Sequence, residues 1–147
     1  MQNFFDLYTG DNEIIKSVEN SIPINLLEND NKFSIIVGSN KSGKTSLAKS
    51  YSMLNQANLI FDIPKSLKNL KKTYLDLNSL NLADENLFHF LEYFISQDIG
   101  LTIFTSTDPL NVDENQAIIA DIKSRLSLFN IARIENPNDE LLFKLIQ

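Results

Sequence analysis

Residues 38 to 45 read Gly-Ser-Asn-Lys-Ser-Gly-Lys-Thr, which fits G-x-x-x-x-G-K-[ST] at every fixed position. The run follows the apolar segment Phe33 to Val37. It opens a helical pattern over residues 43–56, where Leu47, Ala48, Tyr51 and Leu54 recur at helical spacing. Strand, glycine-bearing turn and helix in that order constrain this chain more than any other feature. Two glycines let the backbone bend so that successive N–H groups surround phosphate oxygens, and the helix N-terminus adds partial positive charge. On this reading Gly38, Ser39, Asn40, Lys41, Ser42, Gly43, Lys44 and Thr45 cradle the phosphates of ATP or ADP. Lys44 reaches the β- and γ-phosphates, and Thr45 offers a hydroxyl to Mg²⁺, a hard cation that takes oxygen ligands. The alternative is a strand-to-helix turn without a ligand. Against it, the chain has only four glycines and two of them fall at the required spacing.

The surrounding pattern supplies the scaffold such a loop needs. Apolar runs at Phe33 to Val37, Leu59 to Phe61, Tyr74 to Leu77, Leu101 to Phe104 and Phe129 to Ile134 read as buried strands. Amphipathic stretches alternate with them, which predicts an α/β fold on a five-stranded parallel sheet. Asp84 caps a predicted helix burying Leu87, Phe90, Leu91, Phe94 and Ile95. A further helix spans Ala117 to Leu126, a terminal one follows Pro137, and Asp11 or Asn12 caps a short one holding Ile14, Ile15 and Val18. Residues 62–72, with Pro64 and four lysines, read as a mobile connection. At 147 residues the chain is expected to form a single core.

Charge and composition narrow the partners. A net charge of -6 lacks the positive field that extensive nucleic-acid contact requires. No cysteine is present, which removes thiolate metal sites and thiol nucleophiles. The N-terminus shows no leader pattern and no run approaches 18 apolar residues, so the expectation is a cytoplasmic protein without a membrane partner.

Hydrolysis needs more than a phosphate loop: a carboxylate on the metal side and a group that positions water. Asp76, in Tyr74-Leu75-Asp76-Leu77-Asn78, is the candidate acid. Asp62, closing Leu59-Ile60-Phe61, competes with it, and either could instead be a turn residue. Leu77 stands beside Asp76 where an active ATPase usually shows a second acid, so intrinsic hydrolysis is expected to be weak or absent. Thr105 and Ser106, after the fourth strand, are candidates to sense the γ-phosphate, or form an ordinary turn before Pro109. Arg125 ends its predicted helix, where it could simply serve the helix C-terminus. His89, with no second histidine and no cysteine, reads as a packed or surface residue.

The phosphate loop is followed in order by Tyr74-Leu75-Asp76-Leu77, Leu87-Phe88-His89-Phe90-Leu91, Thr105-Ser106-Thr107-Asp108, Asp121-Ile122-Lys123-Ser124-Arg125-Leu126 and Pro137-Asn138-Asp139. In this order and spacing the chain resembles the AAA+ core of the DnaA/Hda family over nearly its whole length. The resemblance implies a P-loop NTPase three-layer sandwich. It implies that Arg125 is an arginine finger reaching the nucleotide of a neighbouring subunit, and that Thr105 or Ser106 is the sensor. Gln2-Asn3-Phe4-Phe5-Asp6-Leu7 looks like the Q-x-x-[LF]-x-L segment with which Hda proteins bind the sliding clamp, with Gln2, Phe5 and Leu7 as contacts. Residues 2–7 could equally form a first strand or pack on the core. The implied organisation is a clamp-binding-like segment over 1–10 and a core over 11–147 that stops within the first helix of the family's lid. Without a lid, nucleotide should bind more weakly and stay open to solvent. The implied role is an Hda-like regulator that acts on a DnaA-like initiator together with the clamp and promotes hydrolysis of its ATP, with self-association allowed. A non-catalytic nucleotide-dependent adaptor is the second reading, and a small P-loop kinase a distant third.

Overall fold

The computed structural model describes residues 21–39 and 42–134. In chain order these form α1 (Ser21–Glu28), β1 (Phe33–Val37), α2 (Lys44–Leu54), β2 (Asn58–Ile60), β3 (Thr73–Asp76), α3 (Glu85–Gln97), β4 (Leu101–Thr105), α4 (Ala117–Leu126) and β5 (Asn130–Arg133), with a 3-10 turn at Pro109–Asn111. All five predicted strands are present, each within a residue or so of its expected bounds at most ends. Every pairing is parallel and the order is β2-β3-β4-β1-β5. The strand that carries the phosphate loop is therefore interior to the sheet, flanked by β4 and β5.

Alternation along the strands builds two apolar layers. Ile35, Val37, Leu75 and Ile103 face α3 and α4, where Leu87, Phe90, Leu91, Phe94, Ile119, Ile122 and Leu126 cover them. Ile36, Tyr74, Phe104 and Ala132 face the other way, onto Leu27 of α1 and Leu47, Ala48 and Tyr51 of α2. The result is the three-layer sandwich expected from the sequence. Asp84 caps α3 as predicted, its side chain accepting from the Asn86 N–H.

Several features depart from the sequence reading. Leu54, read as part of the apolar face of α2, and Phe61, read as part of a buried strand, are 56% and 54% exposed, since α2 ends at Leu54 and β2 is a three-residue edge strand that stops at Ile60. Helix α1 was not expected; Pro23 suits its first turn, and Ile24 and Leu27 are its buried anchors. The connection over 62–72 lacks regular structure yet is pinned: Ile63, Leu67 and Leu70 pack on the α3/α4 layer, and the Leu70 N–H donates to the Tyr93 hydroxyl at 3.1 Å. The predicted helices at 11–18 and after Pro137, the segment carrying Gln2, Phe5 and Leu7, and the loop residues Asn40 and Lys41 lie outside the described residues.

Three helices end in the same way. Asp30, Gln56 and Asp98 each adopt a left-handed backbone, with φ of 53°, 57° and 58°. Each time the next residue's N–H returns five positions to a helix carbonyl, as in Asn31 to Leu26, Ala57 to Ser52 and Ile99 to Phe94. These are Schellman endings made without glycine.

Candidate functional site

The loop after β1 is organised around one carbonyl. The Ser42 N–H, the Ser42 hydroxyl and the Lys44 ammonium donate to the Ser39 oxygen at 3.1, 2.7 and 3.0 Å. Gly38 extends the sheet, its N–H donating to the Thr105 carbonyl at 2.9 Å. A Cβ at Gly38 would fall 2.4 Å from the Ser42 hydroxyl and 3.2 Å from the Ile134 Cβ, so close packing demands glycine there. Gly43 demands it for a different reason. Its φ of 87° is left-handed, and it starts α2 with no side-chain cap. The first N–H groups of α2 thus keep no side-chain acceptor from the cap residue, and the first turn carries no acid. That arrangement suits an anion.

Lys44 is 4% exposed. Burial pushes its ammonium below the ordinary value, and the nearby Asp76 carboxylate opposes that shift. Thr45, beside it, is exposed. Asp76 ends β3, two strands from β1, and shares strand parity with Tyr74, which faces the α2 layer. Asp62 follows the edge strand β2, one strand further away, and is exposed. Of the two candidate acids, the electrostatic partner of Lys44 is Asp76. An exposed hydroxyl and a half-buried carboxylate near one buried ammonium form an oxygen donor set that fits Mg²⁺.

Thr105 and Ser106 are brought to the same sheet edge, but their hydroxyls are engaged. They donate to the Asn78 carbonyl at 3.0 and 2.6 Å, and the Ser106 N–H joins them at 2.8 Å. Asn78 lies two residues past Asp76, and its role was invisible in the sequence because a main-chain oxygen does the work. The same segment continues to Asp108, whose carboxylate accepts from the Leu110 N–H at 3.0 Å and from Arg133 Nε and a terminal guanidinium nitrogen at 2.8 and 2.7 Å. Arg133 is the last residue of β5 and Asp108 lies three residues past β4, and the sequence reading assigned neither of them a role.

Arg125 is held on its own chain. Its Nε donates to Glu92 of α3 at 2.6 Å, a terminal nitrogen donates to the Asp121 carbonyl one turn back, and its guanidinium lies 4.4 Å from the Phe88 ring centroid. His89 is a surface residue edge-on to Phe88. No helix among the described residues is long and apolar enough to cross a membrane.

A scan against protein-family models gives no match, and a search of curated proteins gives none. Solved structures do match. DnaI superposes with a TM-score of 0.67 at 16% identity, over 88% of this chain and 89% of that one. A replication initiator DnaA bound to AMPPCP and single-stranded DNA gives 0.67 at 16%, over 92% of this chain and 52% of that one. Domain III of the Thermotoga maritima replication initiation protein DnaA gives 0.67 at 17%, over 94% and 71%. The fold is the one these structures share, an α/β sandwich on a five-stranded parallel sheet with a phosphate-loop-like turn after β1. The chain spans about half the length of the DnaA that carries AMPPCP and DNA.

Proposed function

We propose that this chain is a nucleotide-binding regulator of replication initiation, taking ADP or ATP with Mg²⁺ at residues 38–45. The observation that carries the reading is the buried Lys44, held beneath the loop by the Ser39 carbonyl and close enough to feel Asp76. A buried ammonium whose charge is disfavoured gains most from an incoming phosphate. Thr45 and Asp76 would hold the metal, and Mg²⁺ when bound would supply charge neutralisation at the phosphates. The likeness to DnaI and DnaA supports the replication setting, and one such DnaA structure contains AMPPCP.

Within this proposal the finer role is Hda-like. Gln2, Phe5 and Leu7 dock on the sliding clamp, and Arg125 is supplied in trans to ATP held by a DnaA-like initiator, where a delocalised guanidinium stabilises developing charge. The chain's own turnover is slow because Leu77 stands beside Asp76. Calorimetric titration with ADP and ATP in Mg²⁺, for wild type and Lys44→Ala, tests the first claim; a wild type that takes no nucleotide overturns it. Phosphate release from the initiator's ATP, with loaded clamp and with Arg125→Ala, tests the second.

The non-catalytic adaptor is favoured by a specific observation: Arg125 is paired with Glu92, and the Thr105 and Ser106 hydroxyls are spent on Asn78. It predicts nucleotide-dependent partner binding with no acceleration of phosphate release.

A further inference from the structure

The hydrogen bonds beyond the strand ends form one strap across the sheet. It begins at Asn78, two residues after Asp76, where three donors from Thr105 and Ser106 converge. Thr107 adds two more ties, its N–H donating to the Thr105 hydroxyl and its own hydroxyl accepting from the Leu80 N–H at 2.9 Å. It ends where Asp108 grips Arg133. Because β1 lies between β4 and β5, that last link spans two strand spacings, about 10 Å, past the point where the phosphate loop departs. Arg133 is in register with Val37, the residue before Gly38, and the next N–H, that of Ile134, donates to the Val37 carbonyl at 2.7 Å.

We propose that Asp108 and Arg133 are positioning residues of the nucleotide site, anchoring the strap so that Asp76 stands at the right distance from Thr45 for the metal. The proposal rests on the nucleotide-binding reading above. Arg133 has the opposite strand parity to Ala132, which packs in the α2 layer, so its side chain leaves the sheet on the face away from the helix that receives the phosphates. It acts through the strap and is not itself a phosphate ligand. Asp108 is suited to be the anchor: its side chain is only 17% exposed and it also caps the 3-10 turn, so its carboxylate is held from two sides.

The test is titration of the full chain with ADP, in Mg²⁺ and in EDTA, for wild type, Lys44→Ala, Asp108→Asn, Arg133→Gln, Arg133→Lys and the double variant Asp108→Asn/Arg133→Gln. The expected result is a loss of about tenfold in the Mg²⁺-dependent gain in affinity for each neutral single variant, the size usual for groups that orient a ligand from behind. Affinity in EDTA should stay at the wild-type value. The double variant should be no worse than either single one, since the two act as a unit. Arg133→Lys, which keeps the charge and loses the fork, should recover part of the gain. Asparagine can still cap Leu110, so Asp108→Asn carries the test if Arg133→Gln does not fold. Variants that melt earlier but keep the wild-type Mg²⁺ gain, or losses that add in the double variant, overturn the proposal alone. A wild type that takes no ADP overturns the nucleotide reading and the proposal with it.

Discussion

Where the strands begin, polar side chains are largely matched to one another; where they end, the key charge is matched only to backbone. At the starting edge Lys72 pairs with Asp30 and Lys32 with Asp98. The Tyr51 hydroxyl donates to Glu28, and the Asn55 amide donates to both the Leu27 carbonyl and the Tyr74 oxygen. Burial pushes the Tyr74 phenol up to about 12, against the pull of that Asn55 bond, so it stays neutral and structural. At the finishing edge Lys44 is nearly as buried as the two tyrosines and far more buried than the ion-paired lysines, yet among the described residues it has a carbonyl for a partner and no ion pair. The left-handed residues differ in the same sense. Asp30 and Asp98 carry a paired carboxylate, whereas nothing lies within 4 Å of where a Cβ on Gly43 would be. The starting edge pairs its charges within the fold, leaving one Asp30 carboxylate oxygen and the buried Ser34 hydroxyl without a partner among the described residues, and the finishing edge keeps an ammonium with capacity for a ligand.

The sharpest way to break this contrast is to neutralise Lys44. Lys44→Met keeps an apolar stem and removes the charge, so nucleotide affinity should fall by at least about a hundredfold, ~3 kcal/mol, in calorimetric titration. The free protein should respond in the opposite sense. Lys44 titrates below its ordinary 10.5 when folded. Between the two pKa values the unfolded chain binds more protons, so wild-type stability rises as pH climbs through that window. Urea unfolding at pH 7 to 10 should show the rise in wild type and a flatter profile in Lys44→Met. A variant that binds nucleotide normally would place Lys44 with the structural groups of the other edge.

Gly38→Ala attacks the same edge through sterics. The new methyl would meet the Ser42 hydroxyl at 2.4 Å, and a neighbour must move. We expect a cost of about 1–3 kcal/mol in unfolding, with ADP affinity reduced by about an order of magnitude because the displaced Ser42 also holds Ser39. Gly43→Ala meets no atom, so its penalty should come from the backbone alone, about 1–2 kcal/mol, and a difference in binding between the two variants separates crowding from backbone strain.

Those glycines were legible in the sequence, as were the five strands and helices α2, α3 and α4, because each rests on local pattern: apolar runs, helical spacing, a turn that only glycine makes easily. Much of the rest is set by register. Arg133 meets Asp108 across 25 residues, and Arg125 meets Glu92 across 33. Neither pairing exists until β5 docks on β1 and α4 on α3. The Asn78 carbonyl carries no side-chain signature at all. Helix α1 escaped for another reason: eight residues with two buried anchors give too short a period to stand out.

The starting edge can be tested without touching the site. Asn55→Ala removes the donor to Tyr74 at 2.6 Å and to Leu27 at 3.0 Å, uncoupling α2 from α1 and β3 together. Leaving those acceptors short should cost about 1–3 kcal/mol in denaturant unfolding. ADP affinity should not change. If it does, the two edges are coupled through α2, and the division between a satisfied end and an open one is too simple.

The smallest effect isolates the price of ending helices without glycine. Gln56 is left-handed like Asp30 and Asp98 but exposed, and it makes no salt bridge, so its side chain gives little back for the strain. Replacing it by glycine relieves about 1–2 kcal/mol of steric cost and adds roughly 0.5–1 kcal/mol of unfolded-chain entropy. The net expectation is a gain of up to about 1 kcal/mol, read as a higher denaturation midpoint at unchanged slope. Asp98→Gly should gain less, because it also loses the 2.9 Å pair with Lys32, a pair exposed enough to contribute little. Equal gains at both positions would mean that the Lys32–Asp98 pair contributes nothing, and that the exposed charges of the starting edge do not distinguish it from the phosphate-loop edge.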